Sequence, residues 1–212
     1  MVRADRFFYL QRPVKMRRIT ALLFVLGLTT TVHAQFLRGP YTEPFVEAGV
    51  GAGLLSFEMR STGSDLLFPI TSPRDTKAGL ILSIKAGVEY DATAKFYAIS
   101  RTMLINLEGT LTTNGIHGLG TDLYFEDYRP SGYLGGALGM MNWTSVDTDV
   151  VETWWGFGGA LQGGFAMSDA WLVDGSITWG KPLYRTDIAG VQRRYLIDAL
   201  SITLTFSRNL SF

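Results

Sequence analysis

The sequence predicts an all-β fold: an eight-stranded antiparallel transmembrane β-barrel, an up-and-down meander that follows a cleaved signal peptide. Three observations predict it. Segments of apolar/polar alternation succeed one another along the chain, with no long stretch of helical period. The connections between them alternate in length, short and then long. Aromatic residues gather towards the segment ends. Composition suits this class. Of 212 residues 24 are Gly and 13% aromatic, and only 18% are charged, which argues against a disordered chain. Cysteine is absent, which excludes a disulfide framework, Cys-ligated zinc or iron–sulfur centres, a Cys nucleophile and a lipidated N-terminal Cys. His33 and His117 are the only histidines, too few for a His-rich metal site. No uninterrupted apolar run reaches the roughly 18 residues of a membrane-spanning helix. No cofactor, metal or catalytic residue is assigned.

The first element is an address. Met16, Arg17 and Arg18 form a positive start, Ala21–Leu28 an apolar stretch, and Val32 and Ala34 the small pair that precedes a cleavage site. Residues 1–34 therefore read as an upstream extension and signal peptide cleaved before Gln35, with Met16 as the natural start. Those residues hold six of the nineteen Lys/Arg and one of the nineteen Asp/Glu. Thirteen basic and eighteen acidic residues remain, a net charge of −5, which gives nucleic acid no purchase. Residues 35–44, with Pro40 and Pro44, read as a periplasmic lead, and residues 45–212 as the barrel.

Eight strands are predicted, over about Phe45–Glu58, Ala78–Tyr90, Phe96–Leu107, Gly120–Tyr128, Gly132–Trp143, Thr153–Ala166, Ala170–Trp179 and Tyr195–Phe212. The second puts Leu80, Leu82, Ile84, Ala86 and Val88 on one face and Ser83, Lys85, Gly87 and Glu89 on the other. The seventh sets Trp171, Val173 and Ile177 against Leu172, Asp174 and Ser176, and the eighth sets Ile202, Leu204 and Phe206 against Ser201, Thr203 and Thr205. Asp91–Lys95, Arg129–Ser131 and Met167–Asp169 are tight turns. Arg60–Lys77, Glu108–Leu119, Thr144–Glu152 and Gly180–Arg194 are longer loops, all on the side opposite a periplasmic N-terminus.

Alternation alone suits a soluble sandwich as well. The length of each segment favours a bilayer, since about 9–11 residues cross one at a tilt. So do two rims of aromatics. Tyr90, Phe96, Tyr97, Tyr128, Tyr133, Phe165, Trp171 and Phe206 fall near the tight turns; Phe57, Trp143, Trp154, Trp155, Trp179 and Tyr195 fall near the long loops. The face opposite the apolar stripe is poor in large apolar residues. Finally the chain ends with Leu204, Phe206, Leu210 and Phe212 on one parity, closing on an aromatic. That tail closely resembles the C-terminal signal that the bacterial barrel-assembly machinery reads.

With these segments in place, Phe45–Phe212 resembles the small eight-stranded outer-membrane barrels, the OmpA/OmpX-like group; Tyr133–Gly139 and Gly156–Phe165 are similar to its Gly-rich strands. The resemblance implies a monomer in the bacterial outer membrane, exported through the periplasm, with lipid and lipopolysaccharide around it and periplasmic chaperones during biogenesis. It carries over no catalytic residues, and in a departure from OmpA no peptidoglycan-binding domain follows the barrel, so a cell-wall anchor is not implied.

Alternation turns Glu47, Lys85, Glu89, Asp122, Glu126 and Asp174 inward, where charge persists only when paired. Arg101 shares parity with Tyr97, Ile99, Met103 and Ile105, and facing mid-bilayer lipid would cost it about 2–4 kcal/mol. Either that face points inward, leaving Phe96, Ala98, Ser100, Thr102 and Leu104 to lipid, or a bulge shifts the register. The first alternative is preferred, with Arg101 paired to an interior acid. A salt-bridged plug is the favoured reading of these charges; a narrow channel or small-solute carrier is the alternative. A lipid-modifying enzyme ranks below both, because His117 is expected in an outer loop with no His-x-Ser pattern. Gly49–Gly53 lacks the helix and Lys of a phosphate loop, the sequon at Asn142 is a short motif, and Asp147, Asp149 and Glu152 read as a solvated acidic loop.

Overall fold

A computed structural model of the protein describes residues 42–63, 69–146, 151–188 and 191–210. The expected signal peptide with its cleavage site, residues 35–41 of the lead, Asp147, Asp149 and Phe212 lie outside the described residues. The described chain is almost entirely strand: β1 Thr42–Gly63, β2 Ile70–Thr71, β3 Asp75–Tyr90, β4 Ala94–Leu107, β5 Thr110–Tyr124, β6 Ser131–Val146, β7 Val151–Ala166, β8 Trp171–Gly180, β9 Leu183–Ile188 and β10 Val191–Asn209.

Eight of these form the barrel wall in the order β1-β3-β4-β5-β6-β7-β8-β10, each antiparallel to the next. β10 returns to pair with β1 from Glu47↔Asn209 to Gly63↔Arg193, so the sheet closes. Closure gives every wall strand a ladder partner on both sides, the condition for a β-structure in lipid. β2 and β9 are short additions at the far end, paired with β1 at Arg60 and Ser61 and with the start of β10. Both termini of the wall lie at one end, the periplasmic one, together with the turns at Asp91–Thr93, Phe125–Pro130 and Met167–Ala170.

The alternation decides which side chains meet lipid. Leu80, Leu82 and Ile84 on β3, Leu134 and Leu138 on β6, Phe157 and Leu161 on β7, and Ile202 and Leu204 on β10 are exposed on the outside. Their neighbours Ser83, Lys85, Gln162, Ser201 and Thr203 are buried within. This is an exterior that only a bilayer covers.

Several expectations need correction. Glu108–Leu119 is not an outer loop. Glu108 and Gly109 alone reverse the chain, at φ 52° and 92°, the two positive values of a type I′ hairpin turn. Asn106 Oδ1 accepts the Gly109 N–H at 2.8 Å. β5 then begins at Thr110. Its Thr, Asn and Gly composition imitates a loop, but the glycines serve close packing: a Cβ at Gly120 would lie 2.5 Å from the Tyr97 ring. The same strand ends at Tyr124, so Tyr128 belongs to the periplasmic turn. Thr42–Pro44, expected in the lead, form the start of β1. The long outer loops shrink because β1, β6 and β10 run further outward than expected.

The aromatic rims are also thinner than expected. Tyr90, Phe96, Tyr128, Phe165, Trp171, Phe206, Trp155 and Trp179 are exposed, but Tyr97, Tyr133 and Trp143 are buried inside. Phe57 and Trp154 pack on an interior apolar cluster that includes Leu55, Ile81, Met103 and Met141. The interior is therefore apolar towards the outer end and charged below, not polar throughout.

Candidate functional site

The lower interior holds a chain of ion pairs, each partner delivered by the inward parity of its strand. Lys85 on β3 lies 3.5 Å from Glu47 on β1 and 3.2 Å from Asp122 on β5. Lys95 on β4 approaches the same Glu47 at 3.8 Å and Glu89 at 3.6 Å. Glu89 also receives Arg129 from the periplasmic turn at 2.6 Å. Separately, Arg101 donates to Asp174 on β8 at 2.9 Å. Four acids thus meet four bases. The set is neutral as a whole, which is what a low-dielectric enclosure demands of buried charge.

Aromatic and amide groups complete the network. Tyr97 donates its hydroxyl to Asp122 at 2.7 Å, and the Gln162 amide donates to both Tyr97 and Asp122. The Lys85 ammonium lies 5.0 Å from the Tyr97 ring centre and the Lys95 ammonium 4.6 Å from that of Phe45, within cation–π range. The Arg129 guanidinium stacks 3.9 Å over Tyr124, at the periplasmic mouth. Above Arg101 a residual cavity of about 10 Å³, room for one water, separates the charged zone from the apolar cluster.

Of the residues expected inside, Glu47, Lys85, Arg101, Asp122 and Asp174 are buried in this network. Glu89 is half-buried at its periplasmic edge. Glu126 is a correction: β5 ends two residues earlier, and Glu126 is exposed in the turn. There it accepts a hydrogen bond from Tyr128, which holds that phenol above its ordinary range. Sequence reading missed Lys95 and Arg129. Lys95 shares the inward parity of Tyr97, Ile99 and Arg101, a signal obscured by assigning it to a turn. Arg129 carries no such signal, since only the folding-back of the turn brings it to Glu89. Near the C-terminus, Leu204 and Phe206 face outward, and Phe206 stacks on Trp171 at 4.9 Å. Leu210 donates its backbone N–H to Val46 at 2.6 Å.

His117 is likewise a correction. It lies within β5, paired opposite Ser100, with its ring on the lipid side of the wall. At the outer end, Arg60, Arg74, Lys77, Lys181, Arg185 and Arg194 surround the extensions of β1, β3, β9 and β10, while Glu58, Asp75 and Asp198 are the acids ion-paired among them. Arg185 and Arg194 stand directly opposite each other across the β9–β10 ladder.

The fold and its apolar exterior define an integral membrane β-barrel of eight strands, the architecture of bacterial outer membranes. The chain matches no protein-family model and no curated protein. Among solved structures it is similar to Neisserial surface protein A, at 13% identity over 75% of this chain and 96% of that one, with a TM-score of 0.43. It is similar to the outer membrane protein OprG from Pseudomonas aeruginosa, at 12% identity, 82% and 99% coverage and a TM-score of 0.47. It is also similar to Ail, the attachment invasion locus protein of Yersinia pestis, at 12% identity, 75% and 97% coverage and a TM-score of 0.35. The fold stands on strand register and lipid-facing surface.

Proposed function

We propose that this barrel serves the outer membrane as a structural and interaction protein that grips lipopolysaccharide phosphates with its outer rim. The observation that carries the reading is that, among the described side chains, six bases gather around three acids on one side of that rim, in a mature chain expected to be acidic overall. Arg185 and Arg194 are the sharpest part of it, because like charges directly opposite in a ladder repel unless an anion lies between them. Guanidinium groups suit phosphate, which accepts two parallel hydrogen bonds from one planar fork. The barrel would supply rigidity and the rim recognition. The neutral, filled interior supports this role and lends no support to a channel. Biogenesis would proceed through periplasmic chaperones and the barrel-assembly machinery, with Leu204, Phe206, Leu210 and Phe212 as the tail it reads, and the mature form would be a monomer.

The test is the binding of fluorescent lipopolysaccharide to the barrel in phospholipid nanodiscs. A basic side chain at an anionic surface contributes about 1 kcal/mol, so reversing two charges with Arg185→Glu and Arg194→Glu together is expected to weaken binding at least about tenfold. Unchanged binding by the double variant would remove the rim from the account.

A further inference from the structure

Among the described residues, the outward face of the wall carries a hydrogen-bonded polar cluster where lipid is expected. Ser100 on β4, His117 on β5 and Asn142 on β6 form a continuous chain: Ser100 Oγ lies 3.0 Å from His117 Nδ1, and His117 Nε2 lies 3.1 Å from Asn142 Oδ1. Behind them the Asn142 amide donates to Thr144 at 3.1 Å and to Thr113 at 3.4 Å. Those two bonds turn the amide oxygen towards the imidazole. In the tautomer with its proton on Nε2, the ring donates to that oxygen and Nδ1 is left to accept the Ser100 hydroxyl. Ser100 is exposed, His117 half-buried and Asn142 buried. Exposure thus rises from the orienting group to the nucleophile.

We propose that Ser100, His117 and Asn142 are an acyl-transfer site that acts on ester-linked acyl chains of membrane lipid from outside the barrel. A hydroxyl bonded to an imidazole, which is in turn oriented by a third group, is the geometry of an activated nucleophile whatever the fold that carries it. The lipid side of the wall fixes the substrate class, because what reaches Ser100 laterally is lipid. The His117 ring centre lies 5.7 Å from that of the exposed Trp155, while Ser100 and His117 themselves sit midway along β4 and β5. Thr102, one pleat from Ser100 on the same face, is the neighbouring hydroxyl able to donate to a developing oxyanion.

The chemistry balances with water as the second substrate. Ser100 Oγ bonds to the ester carbonyl carbon as its proton passes to His117 Nδ1. The tetrahedral adduct collapses, the alcohol oxygen of the lipid leaves, and it takes that proton. Water then attacks the acyl-Ser100 ester, giving a proton to His117 that returns to Ser100 Oγ as the fatty acid departs. Ser100 and His117 are the catalytic residues and Asn142 a positioning residue.

The full-length barrel, purified from outer membranes and shown to be folded by a boil-dependent gel shift, tests this with two readouts. One is labelling by a fluorophosphonate, located by mass spectrometry. The other is fatty acid released from vesicles of phosphatidylethanolamine and phosphatidylglycerol, or from lipopolysaccharide vesicles. The label is expected on Ser100, with release from at least one vesicle type. Release from only one type assigns the ester to that lipid, and release from both assigns it to both. Ser100→Ala should abolish label and release, and His117→Ala should lower both about a hundredfold or more. Asn142→Ala should lower release, and Asn142→Asp, which still accepts the Nε2 proton, should restore it. A folded wild-type barrel with no label on Ser100, or with label but no release from either vesicle, overturns the proposal. So does labelling or release that survives the Ser100 or His117 substitution unchanged, or an Asn142→Ala loss that Asp does not restore.

Discussion

Arg101 and Asp174 meet at 2.9 Å in an enclosure from which water is largely excluded, and neither charge has an alternative counter-ion as close. Removing one partner of a buried pair strands the other, at a cost of about 3–5 kcal/mol, whereas replacing both with apolar groups of similar volume is close to neutral. Arg101→Met and Asp174→Leu are therefore each expected to destabilise the barrel by about that much in urea unfolding from vesicles. The double variant should recover most of the loss, and a double variant as unstable as the sum of the two would show that the pair is not coupled. Much of this network was legible in the sequence, because a period of two assigns a face to every residue once the strand is known. Lys85, Asp122 and Asp174 follow from their neighbours in that way. The pairing of Arg101 with Asp174 does not, since it joins strands far apart in sequence and depends on barrel closure. Nor does Glu126 follow: its parity is inward, but the strand stops before it.

At the scale of the element, β5 is where composition and structure part. Between Thr110 and Gly120 the chain holds no charge and few large apolar residues, and its glycines and small polar residues carry the signature of a loop. In the barrel the same residues pair with β4 and β6 along their length. Three glycines on this strand sit where neighbouring strands leave no room for a side chain. Tertiary packing thus overrides local propensity. The consequence reaches the candidate chemistry, because a loop reading makes His117 a solvated surface group while the strand reading places it in a hydrogen-bonded line with Ser100 and Asn142. A chain without cysteine makes the distinction easy to measure. A membrane-impermeant maleimide applied to intact cells is expected to label Glu108→Cys in the exposed outer turn and to leave Leu119→Cys, outward-facing in mid-strand, unlabelled. Equal labelling of both would restore the loop.

The whole molecule is held by a single topological fact, the pairing of β10 with β1 over seventeen residue pairs. It removes both sheet edges at once and obliges the two faces of the sheet to become an inside and an outside. The outside then carries Phe157 at 80%, Leu119 at 73% and Leu138 at 72% exposure. No soluble protein of this size presents such residues all the way round, so the bilayer is part of the fold. Strand number, meander order and inward parity were readable from alternation and turn spacing. Which end of the interior is apolar was not, because Leu55, Ile81 and Met103 have the inward parity of charged residues elsewhere on their strands. The central claim is this closed, lipid-covered wall, and the most direct measurement is electrophoretic mobility in SDS with and without boiling, on protein from purified outer membranes. A closed barrel resists SDS until heated, so the account predicts an outer-membrane band whose apparent size changes on boiling. A periplasmic protein whose mobility is the same before and after boiling would contradict it.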